Sequence, residues 1–199
     1  MPTPKTQKLI LASASPRRKM LLSQIGITPD IIISTEIDES PLKDEKPYDF
    51  ALRLALSKAK AGYKQKKGIV IAADTIVTLG TRILSKAQDK EEAVKFLELL
   101  SGRRHQVITA IAVEYGAPKP LTRVTKTSVS IKRLTAMEID HYILSGEWIG
   151  KAGGYAIQGL AARFVKRING SYTNVVGLPL FETANLLESI GINIPTEIL

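Results

Sequence analysis

The chain has no cysteine among its 199 residues. That excludes a disulfide framework, a thiolate nucleophile and a cysteine-based metal site, and it is compatible with a cytosolic protein. Histidine is nearly as scarce. His105 and His141 are the only two, far apart in the chain and without ligand spacing, so a zinc site is not expected. No apolar run approaches the roughly 20 residues that cross a bilayer, so no membrane partner is expected. Met1 to Lys8 is short and polar, and Leu9 to Ala14 is too short for a signal-peptide core, so no leader is expected. G-x-S-x-G is absent, and Ser13 and Ser15 have no His–Asp pattern around them, which argues against a serine hydrolase. Neither a Walker A sequence nor G-x-G-x-x-G occurs. There is also no aromatic-rich RNA-binding signature, helix-turn-helix pattern or zinc finger.

What is present is ordinary for a globular protein: 44% hydrophobic and 24% charged residues. The length fits one domain or two small lobes with a substantial core. The net charge of +9, from 28 basic and 19 acidic residues, suits nucleic acid, anionic lipid or phosphorylated small substrates. The basic residues are scattered. Their densest run, Lys64-Gln65-Lys66-Lys67, falls between a helical pattern and a strand and reads as a solvated turn.

Along the chain, strand and helix patterns alternate. A strand is expected at about 8–13 and a helix at about 16–26, stopped by Gly26. A short β-branched strand follows at Asp30 to Ser34, then a polar loop from Thr35 to Lys46. Pro47 opens a second helix through Lys60, with Phe50, Ala51, Leu54, Ala55 and Ala59 on one face and Gly62 near its end. Ile69 to Ala73 is apolar on both faces, which predicts a strand in the middle of a sheet. Asp89 can cap a helix through Leu100. Val107 to Tyr115 and Leu121 to Leu134 read as an antiparallel pair turning at Gly116-Ala117-Pro118. Thr135-Ala136-Met137-Glu138 is a capping-box pattern for a helix to about Leu144. Glu147 to Pro179 reads as a Gly-rich segment with short strands, and Pro179 starts a last helix ended by Gly191. The expected class is α/β with a mixed sheet and flanking helices, residues 1–199 forming one domain of two lobes around a cleft.

Four stretches carry possible chemistry. Ser13-Ala14-Ser15-Pro16-Arg17-Arg18 joins a strand to a helix. Ser15 can cap that helix, and Pro16 suits its first turn. Two arginines there oppose the helix dipole, and an anion bound at the helix start would resolve the conflict. The plainer reading is an ordinary cap with solvated arginines. Asp74-Thr75 follows the buried apolar run, where ligands of α/β sheets gather; the carboxylate can hold Mg²⁺, serve as general base, or merely close a turn. Glu39, Lys58 and Lys86 are separated charges, each alone a surface residue, although Lys58 borders the apolar face of its helix. Finally, Gly150 to Gly159 and Asn169 to Pro179 are dense in glycine. Lys151 and Gln158 are polar groups in an otherwise apolar or glycine setting, which fits either a ligand loop or a simple connector.

Taken together, Ser13-x-Ser15-Pro16-Arg17-Arg18, Ala73-Asp74-Thr75, Ser101-Gly102-x-x-His105, Lys151-Ala152-Gly153-x-Tyr155-x-Ile157-Gln158-Gly159 and Gly170-Ser171-Tyr172-x-Asn174-Val175-Val176-Gly177-Leu178-Pro179 resemble the Maf-like nucleoside triphosphate pyrophosphatases, in order from about Leu9 to Gly191. The resemblance implies a fold related to the house-cleaning inosine-triphosphate pyrophosphatases. It further implies hydrolysis of a nucleoside triphosphate to monophosphate and pyrophosphate, a divalent metal (Mg²⁺, Mn²⁺ or Co²⁺), a homodimer and a cytoplasmic location.

Position by position, Asp74 matches the family's proton acceptor, and Arg17, Thr75 and Gln158 match its substrate-specificity positions. Glu39, Lys58 and Lys86 match charged residues of its catalytic cleft. In this reading Glu39 and Asp74 hold the metal, Arg17, Arg18, Lys58 and Lys86 neutralise the triphosphate, and Ser13 and Ser15 add contacts to it. Ile157-Gln158-Gly159 is similar to the branch acting on dTTP and UTP, and a glutamine amide suits the O4 and N3–H edge of thymine or uracil. One departure stands out: Ala87 follows Lys86 where the family usually has proline, which puts the rigidity of that loop in question. The alternative is a non-catalytic nucleic-acid-binding or cell-division regulatory protein that uses the positive charge. Nucleic acid is the less expected partner.

Overall fold

The computed structural model describes residues 7–194. In chain order its elements are β1 (Leu9–Ala12), α1 (Pro16–Gln24), β2 (Ile31–Ile33), α2 (Pro47–Gln65), β3 (Ile69–Leu79), β4 (Arg82–Leu84), α3 (Lys90–Leu100), β5 (Arg104–Glu114), β6 (Leu121–Ile131), α4 (Ala136–Leu144), a 3₁₀ turn (Leu160–Phe164), β7 (Val165–Asn169), α5 (Tyr172–Val176) and α6 (Leu180–Glu188). The strands make a seven-stranded mixed sheet in the order β2-β1-β3-β5-β6-β7, with β4 beside β3. β1 runs parallel to β2 and β3, whereas β3–β4 and β6–β7 are antiparallel. This is the α/β class expected from the alternation of patterns.

The chain divides into two compact units. The described part of one covers residues 7–74, 109–125 and 177–194; the other covers 75–108 and 126–176. In the first, β1 and the start of β3 are apolar on both faces and fully covered: Ile10, Leu11, Val70, Ile71, Ala72 and Ala73 are inaccessible to solvent. α2 lays Phe50, Ala51, Leu54, Ala55 and Ala59 on this core. The helix runs on to Gln65, past the expected end at Lys60. Gly62 belongs to its buried face rather than to its terminus. A Cβ there would lie 2.9 Å from Val70 and 3.0 Å from Ala12, so the missing side chain lets helix and strands approach.

In the second unit, β3 turns into β4 at Gly80. Asp89 caps α3 by accepting a hydrogen bond from the Glu92 N–H, and Thr135 and Glu138 form a reciprocal capping box on α4. α3 packs on α4 and buries Ala93, Phe96, Leu97 and Leu100; α4 buries Ile139, Tyr142 and Ile143. The segment from Glu147 to Pro179 departs from expectation. Instead of several short strands it holds turns, the 3₁₀ turn, β7 and the short helix α5. Its glycines serve turns, with Gly150, Gly153 and Gly154 all at positive φ.

Candidate functional site

Parallel pairing sends the chain out of β1 and β2 on the same side, and β3 runs on past them. Leu11 pairs with Ile71, so Asp74, three residues further along β3, lies beyond Ala12, the last residue of β1. Ser13 is the next residue after β1, and the loop carrying Glu39 follows β2. Charged and hydroxyl groups are thus gathered past the carboxyl ends of parallel strands, where α/β folds place ligands. Asp74 sits inside a continuous strand, so the turn-closing reading does not apply.

The centre of the cluster is Lys58, buried on the inner side of α2. Its Nζ lies 2.5 Å from Asp74 Oδ1 and 2.7 Å from Glu39 Oε1. Lysine and aspartate are rarely this buried unless paired, and here each is 8% exposed. Lys58 thus does more than border the apolar face of its helix: its ammonium bridges two carboxylates.

Arg18 is spent largely on the protein itself. Its Nε donates to the Gly177 carbonyl (2.9 Å) and its Nη1 to Ser13 Oγ (2.9 Å). Ser13 Oγ also accepts from the Ser15 N–H at 3.2 Å. Burial lowers the Arg18 pKa. Asp74 and Glu39 pull it back up, while Arg17 adds to the lowering. Arg17 is half-buried, and desolvation lowers its pKa as well. Ser15 occupies the N-cap position of α1 and Pro16 its first turn, but the Ser15 hydroxyl makes no capping hydrogen bond. The side-chain cap expected from Ser15 is not made; Ser15 instead donates its own N–H to the Ser13 hydroxyl. The basic first turn of α1 adjoins the Lys58 cluster, since Arg18 feels both Asp74 and Glu39.

Glu39 lies in a segment without regular structure, yet that segment is fastened. Arg53 of α2 forks onto Glu45 (Nε to Oε1 2.6 Å, Nη2 to Oε2 2.8 Å) and donates to the Ser40 carbonyl at 2.9 Å. Glu45 accepts from the Leu42 N–H, and Asp38 from the Ser40 N–H. The pair raises the pKa of Arg53 and lowers that of Glu45, mainly through their mutual hydrogen bond. Neither residue stood out in the sequence, because the two are eight positions apart, on a helix and a loop.

Among the described residues no cluster of three or more carboxylate or histidine groups could cage a metal. The pair Glu39 and Asp74 suits a different kind of site. Mg²⁺ is commonly held by one or two carboxylates, with waters and substrate phosphate oxygens completing the shell. Both carboxylates converge on one point, now taken by the Lys58 ammonium.

Thr75, Lys86 and Gln158 belong to the second unit. Thr75 follows Asp74 in β3 and is half-buried. Lys86 is exposed and bridges to Ala152, and its carbonyl accepts from Gln88 Nε2 at 3.0 Å. Ala87, at the usual place of proline, is buried at 8% exposure, so the segment is held by packing and the bridge. Gln158 is exposed in a turn between buried Ile157 and Gly159. The Ser101-Gly102-x-x-His105 stretch is structural within its unit: Ser101 Oγ accepts from the Leu134 N–H, and His105 Nε2 lies 2.8 Å from the Tyr155 hydroxyl.

Residues 8–190 match the family model described as Maf-like protein. The chain is 55% identical over 188 residues to the dTTP/UTP pyrophosphatase of Hyphomonas neptunium, covering 94% of this chain and 98% of that one. It is 51% identical over 184 residues to the dTTP/UTP pyrophosphatase of Caulobacter vibrioides, with 92% and 95% covered. Among solved structures, a HAM1 protein from Coxiella burnetii superposes with a TM-score of 0.49 at 20% identity, over 79% of this chain and 91% of that one.

Proposed function

The chain belongs to the Maf-like protein family, and from that membership we propose that it is a nucleoside triphosphate pyrophosphatase that hydrolyses dTTP and UTP to the monophosphate and pyrophosphate. The observation that carries the reading is the match to dTTP/UTP pyrophosphatases at about half identity over nearly the whole of both chains. It comes with a buried Lys58–Asp74 pair at the carboxyl end of the parallel strands. The nucleic-acid-binding alternative is not favoured, since the relatives bear the names of hydrolases.

The reaction is attack of water on the α-phosphorus. The water oxygen bonds to phosphorus, the bridge to the β-phosphate breaks, and pyrophosphate leaves with the electron pair. Asp74 takes the proton from the water. Lys58 holds one oxygen of that carboxylate, and the second remains on the same group to accept the proton. Glu39 and Asp74 would hold a divalent cation, which supplies charge neutralisation and a more acidic water when bound. Arg17 and Lys86 bear on the phosphates, and Arg18 fixes the Ser13–Ser15 turn, whose hydroxyl and N–H groups would add contacts to them. Thr75 and Gln158 bear on the base, by the positions they share with the family. A homodimer in the cytoplasm is part of the same proposal; for its part, no helix among the described residues is long and apolar enough to cross a membrane.

The test is a panel of dTTP, UTP, CTP and GTP with Mg²⁺, Mn²⁺ and Co²⁺, scored for pyrophosphate. Release from dTTP and UTP that requires the cation is the expected result. Inactivity on all four, or release without any divalent ion, would overturn the reading.

A further inference from the structure

The loop from Ala152 to Leu160 is fastened on both sides of Gln158. Ala152 bridges to Lys86, and the Gly153 N–H donates to the carbonyls of Leu84 and Ser85, each at 3.0 Å. The Tyr155 hydroxyl meets His105, and the Tyr142 hydroxyl accepts from the Ala156 N–H at 3.0 Å. Beyond Gln158, Glu147 Oε2 accepts from the Leu160 N–H at 2.8 Å. Each anchor takes a backbone group or a buried ring. Gln158 is left as the exposed amide that this frame presents.

Glu147, like Tyr142, has no place in any of the motifs. Its carboxylate fills the space that a side chain on Gly159 would take: a Cβ there would lie 2.1 Å from Oε2 and 2.6 Å from Oε1. The acceptor also sits on the first N–H of the 3₁₀ turn Leu160–Phe164, where a negative charge is favourable. Glu147 is itself set by the end of α4. Its N–H donates to Ser145 Oγ, which donates to the Tyr142 carbonyl, and Trp148 Nε1 donates to the Ile143 carbonyl. The helix that supplies Tyr142 to one side of Gln158 therefore also holds, in the turn just past its end, the Glu147 that serves the other.

We infer that Glu147 is a positioning residue for base selection: it clamps the Gly159–Leu160 end of the loop and so fixes the amide of Gln158. This rests on the proposed hydrolysis of dTTP and UTP and adds a residue to it. Within this unit Lys86 meets the loop at its other end, at Ala152, and Glu147 holds only the Gly159–Leu160 end, so loss of the clamp should be felt through the base and not through the triphosphate.

The experiment measures kcat and KM of Glu147→Ala on dTTP and GTP, with inorganic triphosphate as a base-free inhibitor. The preference for dTTP over GTP in kcat/KM is expected to fall about tenfold, the scale of one lost hydrogen-bonded contact to substrate. The change should come through KM for dTTP, with kcat and the inhibition constant of triphosphate within about twofold of wild type. Glu147→Gln keeps an acceptor oxygen for Leu160 and should retain the preference. Gly159→Ala, which drives a methyl into the carboxylate, should lose it like Glu147→Ala and serves if that variant does not fold. An unchanged preference in both Glu147→Ala and Gly159→Ala overturns the inference and leaves the hydrolase reading intact. So does a loss shared equally by dTTP, GTP and triphosphate. A wild-type protein inactive on dTTP and UTP overturns the hydrolase reading, and the inference falls with it.

Discussion

The Lys58 cluster and the Gln158 loop use opposite means. The first buries charge: an ammonium and a carboxylate, each 8% exposed, held 2.5 Å apart with a second carboxylate on the same nitrogen. The second buries almost no charge. It ties down backbone N–H groups and leaves one neutral amide in solvent. The contrast matches the two kinds of chemical work proposed for these regions. A reacting centre gains from ionic groups in a low-dielectric setting, where each is worth more than in water. A base reader gains from a fixed donor and acceptor pattern on a rigid frame. Breaking the first should therefore cost rate and stability, and breaking the second should cost selectivity.

The sharpest break is Asp74→Asn. The amide is nearly isosteric with the carboxylate but cannot take a proton, and loss of a general base lowers turnover about 10²–10⁴-fold. Steady-state pyrophosphate release by folded protein is the measurement, and turnover within a few-fold of wild type would remove Asp74 from the mechanism. Lys58→Met attacks the other half of the pair. It leaves two carboxylates without their shared cation, and breaking a buried pair typically costs about 3–5 kcal/mol. A large fall in the midpoint of urea unfolding is expected. Lys58→Met combined with Asp74→Leu should regain much of that stability and none of the activity.

A third break falls in the second unit and depends on pH. Burial lowers the His105 pKa to about 4, from an ordinary value of 6.5. The neutral ring is thus the folded form, and the unfolded chain binds the proton first. Stability from this group is complete above about 6.5 and is lost as the pH falls towards about 4. The difference corresponds to roughly 3 kcal/mol at most. Glu138, also lowered, to about 2, acts only in a more acid range, below the ordinary glutamate value. Melting temperatures from pH 7 to 4 should fall less steeply in His105→Gln than in wild type, and parallel slopes would show that the ring does not titrate on unfolding.

How much of this was legible in the sequence differs between the two regions. Apolar periodicity located β1, α2 and β3, and the Asp89 and Thr135 caps marked α3 and α4 correctly. Local signals carried these elements because local contacts form them. The extent of α2 was misread because glycine is ordinarily a helix stop, and only the close approach of Val70 and Ala12 explains Gly62 inside one. α5 was missed because its five residues are too few to show a period. The bridging of Glu39 and Asp74 by Lys58 could not be seen from spacing, since the three come from a loop, a strand and a helix. The family resemblance pointed to all three positions, Asp74 within a motif and Glu39 and Lys58 as matched charges, without saying which touches which. Arg53 and Glu45 left no signal at all, although they fasten the loop that carries Glu39.

The mildest break addresses the loop directly. Gln158→Glu keeps the length and the exposed position of the side chain but replaces its donor by an acceptor. Thymine and uracil present O4 as an acceptor, so a carboxylate would face it without a proton to share. A polar group left unpaired in a complex costs on the order of 1–3 kcal/mol, about one or two decades in kcat/KM. dTTP and UTP should lose that much, while GTP, whose guanine edge offers N1–H and N2–H₂ donors, should lose less or gain. Lys58, Asp74 and Glu39 are unchanged in this variant, so turnover on the best substrate should remain far above that of Asp74→Asn. Should Gln158 only brace its loop, all four triphosphates would fall together, and measuring dTTP, UTP, CTP and GTP on one preparation tells the two apart. A uniform loss would take base reading away from this residue. It would also erase the division of work between the two regions, because the loop would then serve the reaction in the same undifferentiated way as the charged centre.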